Sequence, residues 1–345
     1  MTLGTSGKQE DMRKRTLDLS NYADSNSTGS LSYRATGTAT TWSGYVQDKA
    51  ELTEQLTAYL GGRYDYWVAQ GSAEQWKTAV ASTNAEFHSF YPSRDDQSFS
   101  PKVSLVYKPI DPVTLRASAG TAFNTPTLYQ LYATSLTSAG VTTQSAPNLK
   151  PETVKSWEIG SDVKLPTDTT VRLTYYENRL KNLIYTEAIS STLNQRTNAG
   201  RAMVRGVEMG VEQPVREGIK LFANAAYNDA WMIDNQAVPA DNGKRLTQTP
   251  RWTGNLGIDG KVANWSGNIT GRYVTKVFGN DANADNFTGS YGMYDPYFLI
   301  DAKVAYEIIP GVKASLAMNN ITGEKYYQYY LMPGRNVFGE LTFKF

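Results

Sequence analysis

Cysteine is absent from this sequence, histidine occurs once, and no stretch of about 20 consecutive apolar residues exists. Without cysteine there is no thiolate metal site, no thiol catalysis and no disulfide framework. The single histidine, His88, falls in a segment expected to be a long loop and gives no His-based metal triad. An excess of charge of one sign is missing too, since 34 Lys and Arg face 33 Asp and Glu. That leaves no basic field for nucleic acid and no acidic tail. No G-x-x-x-x-G-K-[ST] loop is there to cradle phosphates. The opening Met1-Thr2-Leu3-Gly4 lacks a basic region followed by an apolar core, so no secretory signal peptide is read and the chain is taken as part of a longer one. The missing apolar runs exclude helical membrane spans, but a transmembrane β-strand needs only about 10 alternating residues.

What is present is alternation with a period of two. Phe298, Ile300, Ala302, Val304, Tyr306 and Ile308 are apolar, and Asp301, Lys303 and Glu307 stand between them. Ile219, Leu221, Ala223, Ala225 and Tyr227 alternate with Lys220, Asn224 and Asn228, and Val171, Leu173 and Tyr175 with Arg172 and Thr174. A helix would not hold charges at every second position. Strands are expected near 13–22, 41–51, 55–67, 99–108, 113–123, 154–164, 169–184, 202–213, 218–231, 249–260, 265–277, 297–308, 312–325 and 336–345, about 14 in all.

The connections alternate between short and long. Short ones are expected at 52–54, 109–112, 165–168, 214–217, 261–264 and 309–311, several with the Pro, Gly, Asp or Asn of tight turns. Long polar ones are expected at 23–40, 68–98, 124–153, 185–201, 232–248, 278–296 and 326–335. Short turns at one end and long loops at the other are the habit of outer-membrane barrels. The final strand carries Leu341, Phe343 and Phe345 on one face, resembling the signal by which such barrels are inserted. The reading is an all-β, antiparallel transmembrane β-barrel. A soluble β-sandwich, which would bury these apolar rows between two sheets, is the alternative fold.

Four stretches resemble TonB-dependent receptors. The first is Ala119-Gly120-Thr121-Ala122-Phe123-Asn124-Thr125-Pro126-Thr127-Leu128-Tyr129-Gln130-Leu131-Tyr132. The second is Pro147-Asn148-Leu149-Lys150-Pro151-Glu152-Thr153 followed by Trp157-Glu158-Ile159-Gly160. The third is Asn198-Ala199-Gly200 with Arg205-Gly206-Val207-Glu208, and the fourth is Asn319-Asn320-Ile321-Thr322-Gly323-Glu324-Lys325-Tyr326-Tyr327 with Pro333-Gly334-Arg335. Tyr45-Val46-Gln47-Asp48 and Leu60-Gly61-Gly62-Arg63-Tyr64-Asp65 fit the family's mid-barrel hairpin.

The resemblance implies a siderophore-receptor-like barrel of about 22 strands with a plugged lumen, of which residues 1–345 would be the carboxy-terminal portion, without the plug domain. It implies TonB-dependent uptake of a scarce nutrient across the outer membrane of a Gram-negative cell, with a ferric siderophore or similar chelate as the leading substrate. Cobalamin, haem and oligosaccharide chelates stay open. The implied partners are outer-membrane lipid and lipopolysaccharide, the TonB complex through the plug segment, and the barrel-assembly machinery. A passive pore or a non-functional barrel remnant is the competing reading.

Anionic chelates are drawn to cations with aromatic neighbours. The loop-side candidates are Arg94, Arg196, Arg201, Arg245, Tyr329 and Arg335, with Lys244 and Lys276 beside them. Most loop arginines instead pair with local carboxylates. Tyr326, Tyr327, Tyr329 and Tyr330 suit either an aromatic girdle or a ligand-facing loop. Arg172, Lys220, Asp301, Lys303 and Glu307 should line the lumen. Asp95-Asp96 reads as a solvated loop pair, and Glu152 and Glu158 lack acid–base partners in sequence. No catalytic, metal or cofactor site is expected, and an outer-membrane enzyme is disfavoured.

Overall fold

A computed structural model describes residues 1–21, 23–24, 26–27, 29–78, 86–137 and 140–344. Among the described residues, besides two two-residue strands off the path and a separate two-stranded ribbon, fourteen strands follow one another along one antiparallel sheet, each hydrogen-bonded to its neighbour. They are β1 (Thr2–Leu19), β2 (Gly29–Glu51), β3 (Leu56–Gln75), β4 (Phe87–Ile110), β5 (Val113–Asn124), β6 (Glu152–Lys164) and β7 (Thr170–Ser190). Then come β8 (Leu193–Arg216), β9 (Ile219–Asn235), β10 (Trp252–Val262), β11 (Trp265–Val274), β12 (Tyr297–Ile309), β13 (Val312–Asn319) and β14 (Asn336–Phe343). Among the described residues no strand pairs with the outer edge of β1 or of β14.

All six short turns fall where the sequence puts them, between Glu51 and Leu56, Ile110 and Val113, Lys164 and Thr170, Arg216 and Ile219, Val262 and Trp265, and Ile309 and Val312. Three of the long segments differ from expectation. Of residues 23–40, 68–98 and 185–201, the described ones are largely strand, so β2, β3, β4, β7 and β8 reach 20 to 24 residues. Ser190 and Leu193 are joined by only two residues. The apolar–polar beat fades there because small residues alternate with threonine, as in Ala35, Gly37 and Ala39 against Thr36, Thr38 and Thr40. Threonine still favours a strand. His88 and Asp95-Asp96, expected in a loop, lie on β4.

The small residues have a packing cause. A short helix α1 (Leu128–Tyr132), started by a capping box between Thr127 and Gln130, lies against the inner face of β2 and β3. Leu128, Leu131 and Tyr132 pack there with Ala39, Trp67 and Ala69. A Cβ on Gly71 would sit 2.5 Å from the Tyr132 ring, so a larger residue would push the helix off the wall.

Register separates two faces. Phe99, Val103, Leu115, Ile159, Leu173, Val207, Leu256, Ile269, Val304 and Leu316 stand on one face and are all exposed. Arg116, Asp162, Arg172, Glu212, Lys220, Asp301 and Lys303 occupy the other. The lumen residues read from the alternation therefore share one face, and among the described residues no second sheet covers the exposed apolar one. Aromatic side chains mark two levels of that outer face. Phe99 and Tyr107, Trp265 and Tyr273, and Phe298 and Tyr306 are each eight residues apart on their own strands. Eight residues rise about 27 Å, or about 20 Å along the normal at a strand tilt near 40°, which fits an apolar band between two girdles. The tall strands therefore stand well clear of that band on the long-loop side.

Ile269 sits midway between Trp265 and Tyr273 on this face. Ile269→Arg should destabilise the barrel in lipid by about 2–4 kcal/mol, while the inward-facing Asn268→Arg should change stability by less than about 1 kcal/mol. Urea titration of the protein in lipid vesicles checks both.

Candidate ligand-binding face

The inner face carries charges that neutralise one another across strands. Arg116 on β5 pairs with Asp162 on β6 at 2.9 Å, and Arg172 on β7 with Glu212 on β8 at 2.9 Å. Lys220 on β9 reaches Glu212 at 3.3 Å and Asp259 on β10 at 3.8 Å. Lys303 on β12 pairs with Glu340 on β14 at 3.2 Å. These partners lie near the short-turn end, so this level is a polar inner belt laced by cross-strand ion pairs.

The family-like motifs do structural work at the long-loop end. The Asn198 side chain accepts the Lys150 N–H at 2.7 Å and donates to the Lys150 carbonyl at 2.9 Å and the Asn182 carbonyl at 2.8 Å. The Glu152 carboxylate accepts the Ile184 N–H at 2.8 Å and the Asn124 amide at 3.2 Å. Two motifs about 50 residues apart in sequence are thus one clamp on the segment before β6. In the fourth motif, the Asn320 side chain accepts the Glu324 N–H at 2.8 Å and donates to the Glu324 carbonyl at 2.8 Å.

The sequence-based ligand candidates scatter rather than converge. Arg94 is on β4, not in a loop, and is consumed by the fold. It donates to the Pro147 and Leu149 carbonyls at 2.7 Å each, pairs with Asp96, and lies over the Trp67 ring at 5.6 Å. Arg196 and Arg201 are on β8, also not in a loop, because the expected long connection is a two-residue turn. Arg201 pairs with Asp234 at 2.9 Å. Arg245 is in the connection after β9, held by backbone bonds to the Asn283 side chain at 2.7 and 3.0 Å. Arg335 precedes β14 and is exposed, and no carboxylate lies within ion-pair distance of it among the described residues.

Tyr329 belongs to a phenol cluster between the connections before β12 and before β14. Its ring is 5.2 Å from Tyr291 and 5.0 Å from Tyr330, and Tyr291 is 5.5 Å from Tyr330. The Gly292 N–H donates to the Tyr329 carbonyl at 2.7 Å and the Tyr329 N–H to the Met293 carbonyl at 2.8 Å, lacing the two loops together. Hydrogen bonds with the Tyr329 and Tyr330 hydroxyls push the Tyr291 phenol up to about 12. Tyr326 packs instead on Tyr297, with ring centroids 4.4 Å apart.

A second cluster was not read from the sequence. The Lys14 ammonium lies 5.0 Å from the Tyr129 ring centroid, donates to its hydroxyl at 3.2 Å and to the Thr134 carbonyl at 2.6 Å. The Arg196 guanidinium lies 5.5 Å from the same ring and donates to the Gln144 carbonyl at 3.1 Å. Burial pushes the Tyr129 phenol up, but the Lys14 hydrogen bond, with Ser135 and the Arg196 charge, outweighs it and leaves the phenol below its ordinary value. Two cations thus flank a half-exposed phenol on α1, above the inner belt. Only Arg196 was foreseeable, because Lys14 and Tyr129 are 115 residues apart and meet through the helix. Among the described residues, no group of three or more His, Cys, Asp or Glu could hold a metal.

An antiparallel wall with an exposed apolar outer face, a charged inner face and long loops at one end defines an outer-membrane-type β-barrel. The chain belongs to the family described as TonB dependent receptor-like, beta-barrel, which matches residues 3–321. It is 27% identical over 311 residues to the probable TonB-dependent receptor BfrD of Bordetella pertussis, covering 87% of this chain and 40% of that protein. It is 24% identical over 262 residues to the vitamin B12 transporter BtuB of Vibrio cholerae, covering 74% of this chain and 38% of that one. The crystal structure of the siderophore receptor PiuA from Acinetobacter baumannii superposes with a TM-score of 0.69 at 19% identity, over 93% of this chain and 45% of that one. The chain spans less than half the length of each.

Two outcomes test this face. Arg94→Ala strips two carbonyls and Asp96 of their partner, and should cost about 2–4 kcal/mol. Faster proteolysis within 147–151 would report it. Burial and the neighbouring Asp281 carboxylate raise the Asp241 carboxyl in the loop after β9. A carboxyl raised in the fold binds its proton more tightly there than in the unfolded chain. The loop should therefore lose stability as pH climbs from about 4 through the raised value. Asp241→Asn should flatten that profile, measured by amide exchange in residues 236–251.

Proposed function

We propose that this chain forms part of the wall of an outer-membrane receptor in a Gram-negative cell that takes up a scarce nutrient, with a ferric siderophore as the leading substrate. The observation that carries the reading is the Lys14–Tyr129–Arg196 cluster at the loop end of the inner face, where two cations meet one phenol. An anionic chelate entering from the loops finds charge and an aromatic surface there. The exposed Arg335 and the Tyr291–Tyr329–Tyr330 cluster offer a second contact on the connections before β12 and before β14. Names among the similar proteins, a siderophore receptor and a vitamin B12 transporter, support uptake as the function class and leave the cargo to experiment. Uptake would be driven by the TonB complex through a plug that is not among these residues. The exposed Leu341 and Phe343 on β14 are the proposed contact for the barrel-assembly machinery, and Phe345 lies outside the described residues.

One observation favours a second reading. Among the described residues the outer edges of β1 and β14 leave backbone donors and acceptors unpaired, which lipid does not tolerate. Strands from the rest of a receptor would pair them; without such strands the chain is a pore or an inactive remnant. Large ungated steps in planar bilayers would mark a pore.

Titration of the receptor with ferric catecholate, ferric citrate and cobalamin separates the cargoes. Lys14→Ala with Tyr129→Ala should weaken ferric-chelate binding at least tenfold, with unchanged heat-modifiable migration. No saturable binding of any ferric chelate would sink the iron reading.

A further inference from the structure

Three phenols meet where two connections touch. Tyr291 lies in the connection before β12, and Tyr329 and Tyr330 lie in the connection before β14. A two-stranded ribbon pairs Tyr327–Gln328 with Tyr330–Leu331 and leaves Tyr329 alone at its tip. On an extended strand, successive side chains point to opposite faces. Tyr329 breaks that alternation with φ of +68°, a left-handed backbone that bulky residues rarely adopt. The ring centroids of Tyr329 and Tyr330 are 5.0 Å apart, and both rings meet Tyr291, at 5.2 and 5.5 Å. The surroundings hold this backbone in place: Tyr294 and Gln328 form a bridge between the two connections, and the Asp295 carboxylate accepts the Tyr327 N–H at 2.9 Å.

All three tyrosines are exposed, so water would satisfy each hydroxyl. Instead the Tyr291 hydroxyl hydrogen-bonds with those of Tyr329 and Tyr330, which gathers three oxygens in one place. Hydroxyl oxygens so bonded are about 2.5–3.0 Å apart. A small octahedral cation with oxygen ligands at about 2.0–2.1 Å spaces adjacent ligands by about 2.9 Å. The Tyr291 oxygen thus stands from its two partners at the spacing of neighbours in such a shell. Phenolate is a hard anionic oxygen ligand, suited to a hard cation. Its neighbours push the Tyr291 phenol up to about 12, so only a strongly acidic metal takes the place of its proton. Three phenolates balance a trivalent charge, whereas a divalent ion would leave one negative charge over.

We propose that Tyr291, Tyr329 and Tyr330 ligate ferric iron directly through three phenolate oxygens, taking it over from a weak carboxylate chelate. This deepens the uptake reading and rests on it for the supply of iron. Three O–H bonds break and three Fe–O bonds form. The protons pass to water and to the carboxylates that leave the metal; iron stays ferric and no electron moves. The remaining positions on the metal stay with the chelate or with water, so the ion is never stripped bare.

Titration of the receptor in detergent with ferric nitrilotriacetate, a chelate without a phenol of its own, tests the site. A visible phenolate-to-iron charge-transfer band should appear, saturate, and strengthen as pH rises, because binding releases protons. Tyr291→Phe with Tyr330→Phe keeps the rings and removes two oxygens. It should abolish the band and weaken iron retention at least tenfold, with unchanged heat-modifiable migration. Gallium(III) should compete for the site, and zinc and calcium should not. No saturable band from the folded protein, or an undiminished band from the folded Phe variant, overturns the site. Saturable ferric-catecholate binding with no band in nitrilotriacetate sinks the site and leaves the uptake reading standing. A band without binding of catecholate, citrate or cobalamin sustains the site and removes the chelate contact at Lys14.

Discussion

Backbone polar groups have no water to bond in a bilayer, so every strand in the wall must satisfy its N–H and C=O groups against its neighbours. Between the outer edges of β1 and β14, the ladder meets that condition by pairing each strand with the next in sequence. It also explains why the chain can be polar on average. Lateral pairing spends no apolar residue, and only alternate side chains need to face lipid. Where the ladder slips, as between Asn198 and Gly200, side chains take over: Asn198 itself bonds the carbonyls of Lys150 and Asn182.

The same constraint explains what the sequence showed and what it hid. Where lipid touches the wall, apolar and charged residues must alternate, and segments such as 298–308 are unmistakable. Above the lipid, both faces of a strand meet water or packed protein, and no such contrast is imposed. Strands β2, β3, β4, β7 and β8 therefore run on through residues that look like loop. The short turns were legible because a two-stranded corner demands particular backbone, as in Gly218 and Gly311 with φ of +75° and +84°.

The binding face was less legible for a different reason. Cation and phenol must meet in space, and nothing in the local pattern around Lys14 announces Tyr129. Residue type alone picked out both Arg94 and Arg196. One is saturated by carbonyls, Asp96 and an indole, while the other keeps a face on an accessible phenol. Charge in a barrel of this kind is thus informative only after its partners are known. The inner belt makes the same point, since Glu212 satisfies both Arg172 and Lys220.

The two candidate contact regions also differ in stiffness, and that difference has a mechanical consequence. Lys14, Tyr129 and Arg196 are fixed on long strands and on a helix whose buried face is locked against Gly71 and Trp67. The Tyr291–Tyr329–Tyr330 cluster hangs from two loops that hold each other by backbone hydrogen bonds and by Asp295, which accepts the Gly289 and Tyr327 N–H groups at 2.8 and 2.9 Å. A rigid contact selects shape before binding, and a loop contact can close afterwards at the cost of ordering. A large, variably shaped chelate is better served by one of each than by two of either. In the proposed receptor, the tall side of the wall would set where a ligand rests, and the tyrosine loops would set how tightly it is covered.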